Sequence, residues 1–123
     1  ILEELIEINN KLRDFKPDLL LAVGGGTVID YAKAANTIDT RTNLTDLIVN
    51  YSYPFKVKYT KLLVIPTTAG SGAEVTPSAV IYVNNVKYSF ESKLLIPDYF
   101  LLIHHILISI ELFLGFDEEQ IDE

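Results

Sequence analysis

Leu19, Leu20, Leu21, Ala22 and Val23 run without a polar break into Gly24-Gly25-Gly26, and a helical pattern begins directly behind the glycines. No other stretch restricts the fold as tightly. A continuous apolar run bounded by turn signals reads as a strand covered on both faces, as in a parallel sheet. The glycines must then turn the chain from strand to helix at once. Val28, Ile29, Tyr31, Ala32, Ala34 and Ala35 supply the helix's apolar stripe, which ends near Asn36. Upstream, Ile1, Leu2, Leu5, Ile6, Ile8 and Leu12 recur at helical spacing over 1–14, with acidic residues first and basic ones last. That order suits the helix dipole, and Pro17 stops the helix. Residues 1–36 therefore read helix, strand, glycine turn, helix.

A second buried-strand pattern, Leu62-Leu63-Val64-Ile65, is closed by Pro66 and followed by the small-residue, polar loop Thr67–Ala73. Residues 43–50 predict a short helix capped by Asn43 or Thr45. Ala79–Val83 and Val86–Phe90 flank Asn84-Asn85, and asparagine tolerates positive φ, so a tight hairpin is expected there. Pro97-Asp98 makes a turn before the apolar Tyr99–Ile103. The fold class is α/β: the core of a Rossmann-like nucleotide-binding domain, with parallel strands, flanking helices and a β-hairpin. Residues 1–103 are expected to form this partial domain. Residues 104–123 form a divergent tail, apolar and then acidic.

Composition removes several function classes. A length of 123 residues fits one domain. The net charge of −7 argues against a nucleic-acid partner, which would want a basic face. Cysteine is absent, which excludes disulfide scaffolds, Cys-ligated zinc, iron–sulfur clusters and thiol catalysis. The same absence suits a reducing, cytoplasmic setting. No basic stretch leading into an apolar one opens the chain, so no signal peptide is expected. Phe100–Leu114 is interrupted by His104, His105, Ser109 and Glu111 and is too short to predict a membrane span. A mean hydropathy of +0.24 implies apolar surface that expects a partner, hence self-association as a homo-oligomer.

Two loops carry chemistry. Around Gly24-Gly25-Gly26-Thr27, missing Cβ atoms and a helix N-terminus offer backbone N–H donors and partial positive charge to a diphosphate, and Thr27 adds a hydroxyl. The sequence is not the G-x-G-x-x-G fingerprint, and a ligand-free tight turn reads equally well from these residues. Asp30 and Lys33 stand either as a dipole-favoured acid with an i,i+3 ion pair or as a polar group near a ribose. The second loop, Pro66 to Thr76, places hydroxyls and glycines behind a strand end. That is where α/β sheets bind ligands.

These segments resemble the iron-containing (group III) alcohol dehydrogenases of the dehydroquinate synthase-like fold. "DLLLAVGGGTVIDYAKAA" is similar to their GGGS-x-x-D-x-x-K signature, "LLVIPTTAGSGAEVTPSAVIY" to PTTAGTGSE-V-T, and "VKYSFESKLLIPDYFLLI" to the segment that follows. The resemblance spans about residues 17–103, and the V-K-x-S form is similar to members that are phosphonoacetaldehyde reductases. It implies reversible hydride transfer between NAD(P) and a small alcohol or aldehyde, with a divalent metal, Fe²⁺ or Zn²⁺, in full-length members. By the same resemblance Gly25, Gly26 and Thr27 match the pyrophosphate turn. Asp30 matches an aspartate near the nicotinamide ribose. Thr67, Thr68 and Ser71 match the loop around the nucleotide. Thr76, Ser78 and Tyr82 match the nicotinamide end, and Lys87 a lysine approaching the cofactor ribose. Ala73 stands where serine is usual.

The sequence also departs from that family. Its members are far longer, and the D-A-x-x-H helix and later histidines of their metal site are missing. His104 and His105 are the only histidines. Adjacent on a strand, they would face opposite ways and could not share one ion. After Leu102 the family reads Ile/Leu-Asp-Pro-Ser/Glu-Leu. One codon choice for Leu-Leu-Ile-His-His, read in a shifted frame, encodes Ile-Asp-Pro-Ser. The sequence past Leu102 is accordingly expected to be out of frame. The expected function is a dehydrogenase fragment with no catalytic or metal residue of its own. The alternatives are a non-catalytic nucleotide-binding module and a degenerate remnant.

Overall fold

The computed structural model describes residues 2–39, 43–52, 54–67 and 76–102. Helix α1 (Leu2–Phe15) opens with Glu3 and Glu4, closes with Arg13, and buries Leu5, Asn9 and Leu12. Lys16 ends it at φ 51°, its N–H bonded to the Leu12 carbonyl at 2.9 Å. Strand β1 (Leu19–Gly24) follows, then α2 (Gly26–Ala35) and α3 (Leu44–Val49). Asn43 caps α3, its side chain accepting from the Asp46 N–H. The crossover through α2 and α3 brings β2 (Lys61–Pro66) parallel to β1, in register from Leu19↔Lys61 to Gly24↔Pro66. An antiparallel ribbon, β3 (Ser78–Val83) and β4 (Val86–Glu91), comes next. Its turn residues Asn84 and Asn85 sit at φ 50° and 65°, the pair of positive angles a type I′ turn needs. Strand β5 (Tyr99–Phe100) then returns parallel to β2, giving the order β1-β2-β5.

Two cores hold these layers. The larger joins α1, α2, α3 and the ribbon through Leu5, Ile38, Ile48, Ile81, Phe90 and Leu95. The smaller lies between α2 and the parallel sheet: Ala22, Ile29, Leu62 and Val64. Asn9 fastens α1 to the end of α2 by donating to the Ala35 and Ile38 carbonyls at 2.8 and 3.1 Å. These bonds satisfy acceptors that a helix end leaves open.

One sequence expectation is corrected. The apolar run of β1 reads as covered on both faces, yet Leu19 and Leu21 are 45% and 53% exposed. Only the face carrying Ala22, with Leu62 and Val64 of β2, is roofed by α2. The run records a strand suited to two apolar layers, and the described residues supply one. The tail 104–123, including His104 and His105, lies outside the described residues, as do Ile103 and most of the Thr67–Ala73 loop.

Candidate nucleotide site

The site begins at the carboxyl edge of the sheet. Gly24 and Pro66 are register partners, and the Thr67 N–H donates to the Gly24 carbonyl at 2.9 Å. The two loops therefore leave the same edge side by side. Thr68 and Ser71, further along the second loop, lie outside the described residues.

Gly24 sets how tightly the first loop can turn. A Cβ placed on it would lie 2.7 Å from Val28 Cβ and under 3.0 Å from both Val28 methyls. Only a residue without a side chain lets α2 start so close behind β1. Gly25 is the N-cap of α2, at φ −80°, and makes no side-chain capping bond. Ile29 N–H to the Gly25 carbonyl, 3.1 Å, is the bond that opens the helix. The N–H groups of Gly26, Thr27 and Val28 precede it, so they have no intrahelical acceptor, and among the described residues no side chain caps them. Their dipoles concentrate positive potential at this point.

The ribbon closes the other side. Tyr82 and Lys87 are cross-strand partners on β3 and β4. With Gly26, Thr27, Asp30, Tyr31 and Val80 they line a pocket of about 220 Å³. That volume suits part of a dinucleotide, such as a diphosphate with an adjoining ribose. Thr27, Tyr82 and Lys87 are exposed, so a ligand reaches them from solvent.

Asp30 and Lys33 both turn toward the ribbon. Asp30 Oδ2 accepts from the Val80 N–H at 3.2 Å. Burial pushes the Asp30 carboxyl above its usual value, and the Val80 N–H and the charges of Lys33 and Lys87 offset this only in part. Lys33 is 1% exposed. Its Nζ donates to the Thr76 carbonyl at 2.9 Å, to Thr76 Oγ1 at 3.3 Å and to the Ser78 carbonyl at 3.0 Å.

The structure thus gathers Gly26, Thr27, Asp30, Tyr82 and Lys87 around one pocket, with Gly25 and Thr67 at its sheet edge. Thr76 and Ser78 do not line it; they hold Lys33. The sequence pattern places Gly24 in the glycine turn and Lys33 in an i,i+3 pair with Asp30, and it does not single out Tyr31 or Val80 as pocket residues. A signal for Lys33 was available, since it lies one helical turn after the buried Ile29, on the same face as Asn36. Among the described residues no group of three or more His, Cys, Asp or Glu side chains comes together. No set of side chains among the described residues therefore fits an iron centre.

Parallel strands, a glycine turn and a helix opening at the shared carboxyl edge define a Rossmann-like α/β unit. The iron-containing alcohol dehydrogenase family matches residues 2–104. The chain belongs to that family. It is 34% identical over 106 residues to an alcohol dehydrogenase of Thermococcus barophilus, covering 81% of this chain and 28% of the relative. The iron-containing alcohol dehydrogenase of Thermococcus thioreducens superposes with a TM-score of 0.65 at 35% identity, over 81% of this chain and 28% of that one. The fold is shared also with sulfoacetaldehyde reductase of Bifidobacterium kashiwanohense, solved with NAD⁺, at a TM-score of 0.73 and 24% identity over 88% and 29% of the two chains. The chain therefore spans little more than a quarter of the length of these relatives.

Proposed function

We propose that this chain is the nucleotide-holding segment of an NAD(P)-dependent alcohol dehydrogenase, binding the cofactor's diphosphate and an adjoining ribose. The observation that carries this reading is the uncapped N-terminus of α2, set beside Thr67 on one carboxyl edge. Family membership supplies the reaction: hydride passes between a small alcohol or aldehyde and the nicotinamide, which the bound nucleotide brings. The chain's own residues bind and orient. The N–H groups of Gly26, Thr27 and Val28 take the diphosphate, the Thr27 hydroxyl adds a donor, and Lys87 and Asp30 face the ribose from opposite walls. Thr68 and Ser71 complete the second loop on this reading. A metal, Fe²⁺ or Zn²⁺, belongs to the part of a full-length enzyme that this chain does not span. The proposal places the chain in the cytoplasm and lets it self-associate through apolar surface. Among the described residues no helix is long and apolar enough to cross a membrane.

Fluorescence titration with NADH and NADPH tests the binding. Thr27→Asp is the informative variant. An aspartate in the first turn favours the helix dipole, so the fold is retained while a carboxylate opposes the diphosphate. Binding by the wild-type chain and its loss in Thr27→Asp are expected. Unchanged affinity in the variant would show the turn to be structural only. With Fe²⁺ or Zn²⁺ and a short alcohol added, the chain is expected to bind cofactor without turnover, and metal-dependent turnover would overturn that part of the reading.

A further inference from the structure

The free edge of β3 faces α2. In its antiparallel pairing with β4, alternate β3 residues turn both backbone groups away from the partner strand. Ser78 and Val80 are two such residues, for the Ser78 carbonyl and the Val80 N–H both meet side chains of α2. Asp30, a pure acceptor when ionised, takes the N–H. Lys33, a pure donor, takes the carbonyl, together with the carbonyl and hydroxyl of Thr76. An acid and a base spaced i,i+3 thus seal an open strand edge by sorting its donors from its acceptors. Two residues further along the same strand stands Tyr82, which with its partner Lys87 forms the far wall of the pocket.

The position of that wall depends on these anchors. An ammonium 1% exposed is costly to bury and persists only where acceptors surround it. Here the acceptors belong to the segment that delivers the chain from the second loop into β3. We propose that Lys33 is a positioning residue of the nucleotide site: its buried ammonium, by holding Thr76 and Ser78, fixes the ribbon bearing Tyr82 and Lys87 against the N-terminus of α2. The inference rests on the nucleotide reading above for its consequence, and on the α2–β3 geometry for its cause.

The test uses the full chain with Lys33→Met, which keeps the apolar stem and removes the donors, and Lys33→Ala, which leaves room for a small amine. Hydrogen exchange across residues 76–83 reads the anchoring, and NADH fluorescence reads the site. In Lys33→Met, exchange in this segment is expected to accelerate about tenfold while α1 and β1 keep their protection, and NADH affinity falls about tenfold, the size of a charged hydrogen bond. Propylammonium is expected to restore both in Lys33→Ala and neither in Lys33→Met, whose side chain fills the space. Unaltered exchange over 76–83, a uniform rise over the whole chain, or variants that stay unfolded with amine present would each overturn the proposal. A wild-type chain that fails to bind NADH would instead defeat the nucleotide reading, and the exchange and amine-rescue results would still decide the role of Lys33.

Discussion

Gly24 shows how much one missing methyl can decide. Any side chain there meets Val28 at distances real Cβ atoms do not occupy, and Val28 is β-branched on a helix, with little freedom to rotate away. Gly24→Ala is expected to lower stability by about 1–3 kcal/mol, the usual cost of overpacking, as read from urea midpoints. A midpoint equal to wild type would mean the strand-to-helix turn has slack. Two aspartates make opposite statements about pH. Burial would raise the Asp98 carboxyl, but the bond from Lys58 at 2.8 Å, the Leu62 N–H and the charges of Lys58 and Lys61 outweigh it and hold the carboxyl low. Its stabilisation is present above the ordinary aspartate pKa and is lost as pH falls through the lower folded value. Asp30 is held high, so the folded state binds its proton more readily than the unfolded chain. Its contribution therefore turns unfavourable as pH rises from the ordinary value through the folded one. Asp30→Asn keeps an acceptor for the Val80 N–H and removes that penalty. It is expected to raise the melting temperature at pH 7 and to leave it nearly unchanged below pH of about 3.5, where an ordinary aspartate is mostly protonated. A lower melting temperature at pH 7 would show that the ionised carboxylate stabilises the fold.

Elements were more legible in the sequence than their surroundings. The run ending at Gly24, the Pro17 and Pro66 stops and the Asn43 cap each carry a local physical cause, so the helices and strands appear where the pattern puts them. The hairpin is the clearest case, because two adjacent residues at positive φ leave few choices besides Asn and Gly. Asn85→Gly is expected to stabilise the ribbon by about 0.5–1 kcal/mol, since glycine adopts this region without a Cβ penalty. Thermal melts followed by tyrosine fluorescence would register the change, and a drop in melting temperature would imply that the Asn85 side chain makes a needed bond. What could not be read locally was set by distant partners. Lys33 reads as the basic half of an i,i+3 pair with Asp30, because its actual acceptors lie 43 and 45 residues away. Thr76 and Ser78 match the nicotinamide end by resemblance, and no local pattern says that a buried ammonium claims their carbonyls. That the glycine turn and Thr67 leave one edge follows from the pairing itself, because parallel strands send both following loops the same way.

At the scale of the whole molecule, the described residues set one layer of helices on a sheet whose sequence is apolar on two faces. Leu19 and Leu21 on β1, with Phe100, Leu101 and Leu102 at the other end of the sheet, are all more than 40% exposed. Among the described residues β1 also borders no strand on its outer side, so its unpaired backbone groups lie next to that apolar surface. Water hydrates the free backbone groups but not the apolar side chains beside them, and such an edge is a template for pairing with another chain. A mean hydropathy of +0.24 points the same way. The chain is therefore expected to associate with rising concentration, as followed by sedimentation equilibrium. Leu21→Lys should shift that equilibrium toward monomer. A lysine at the centre of β1 puts a charge where an apolar contact would have to be dehydrated, and its long stem can still lie along the sheet. Because Leu21 is 53% exposed, the substitution leaves the small core under α2 intact, and the melting temperature of the dilute protein should change little. A chain monomeric at every concentration, or an association indifferent to Leu21→Lys, would show that this face is satisfied in some other way.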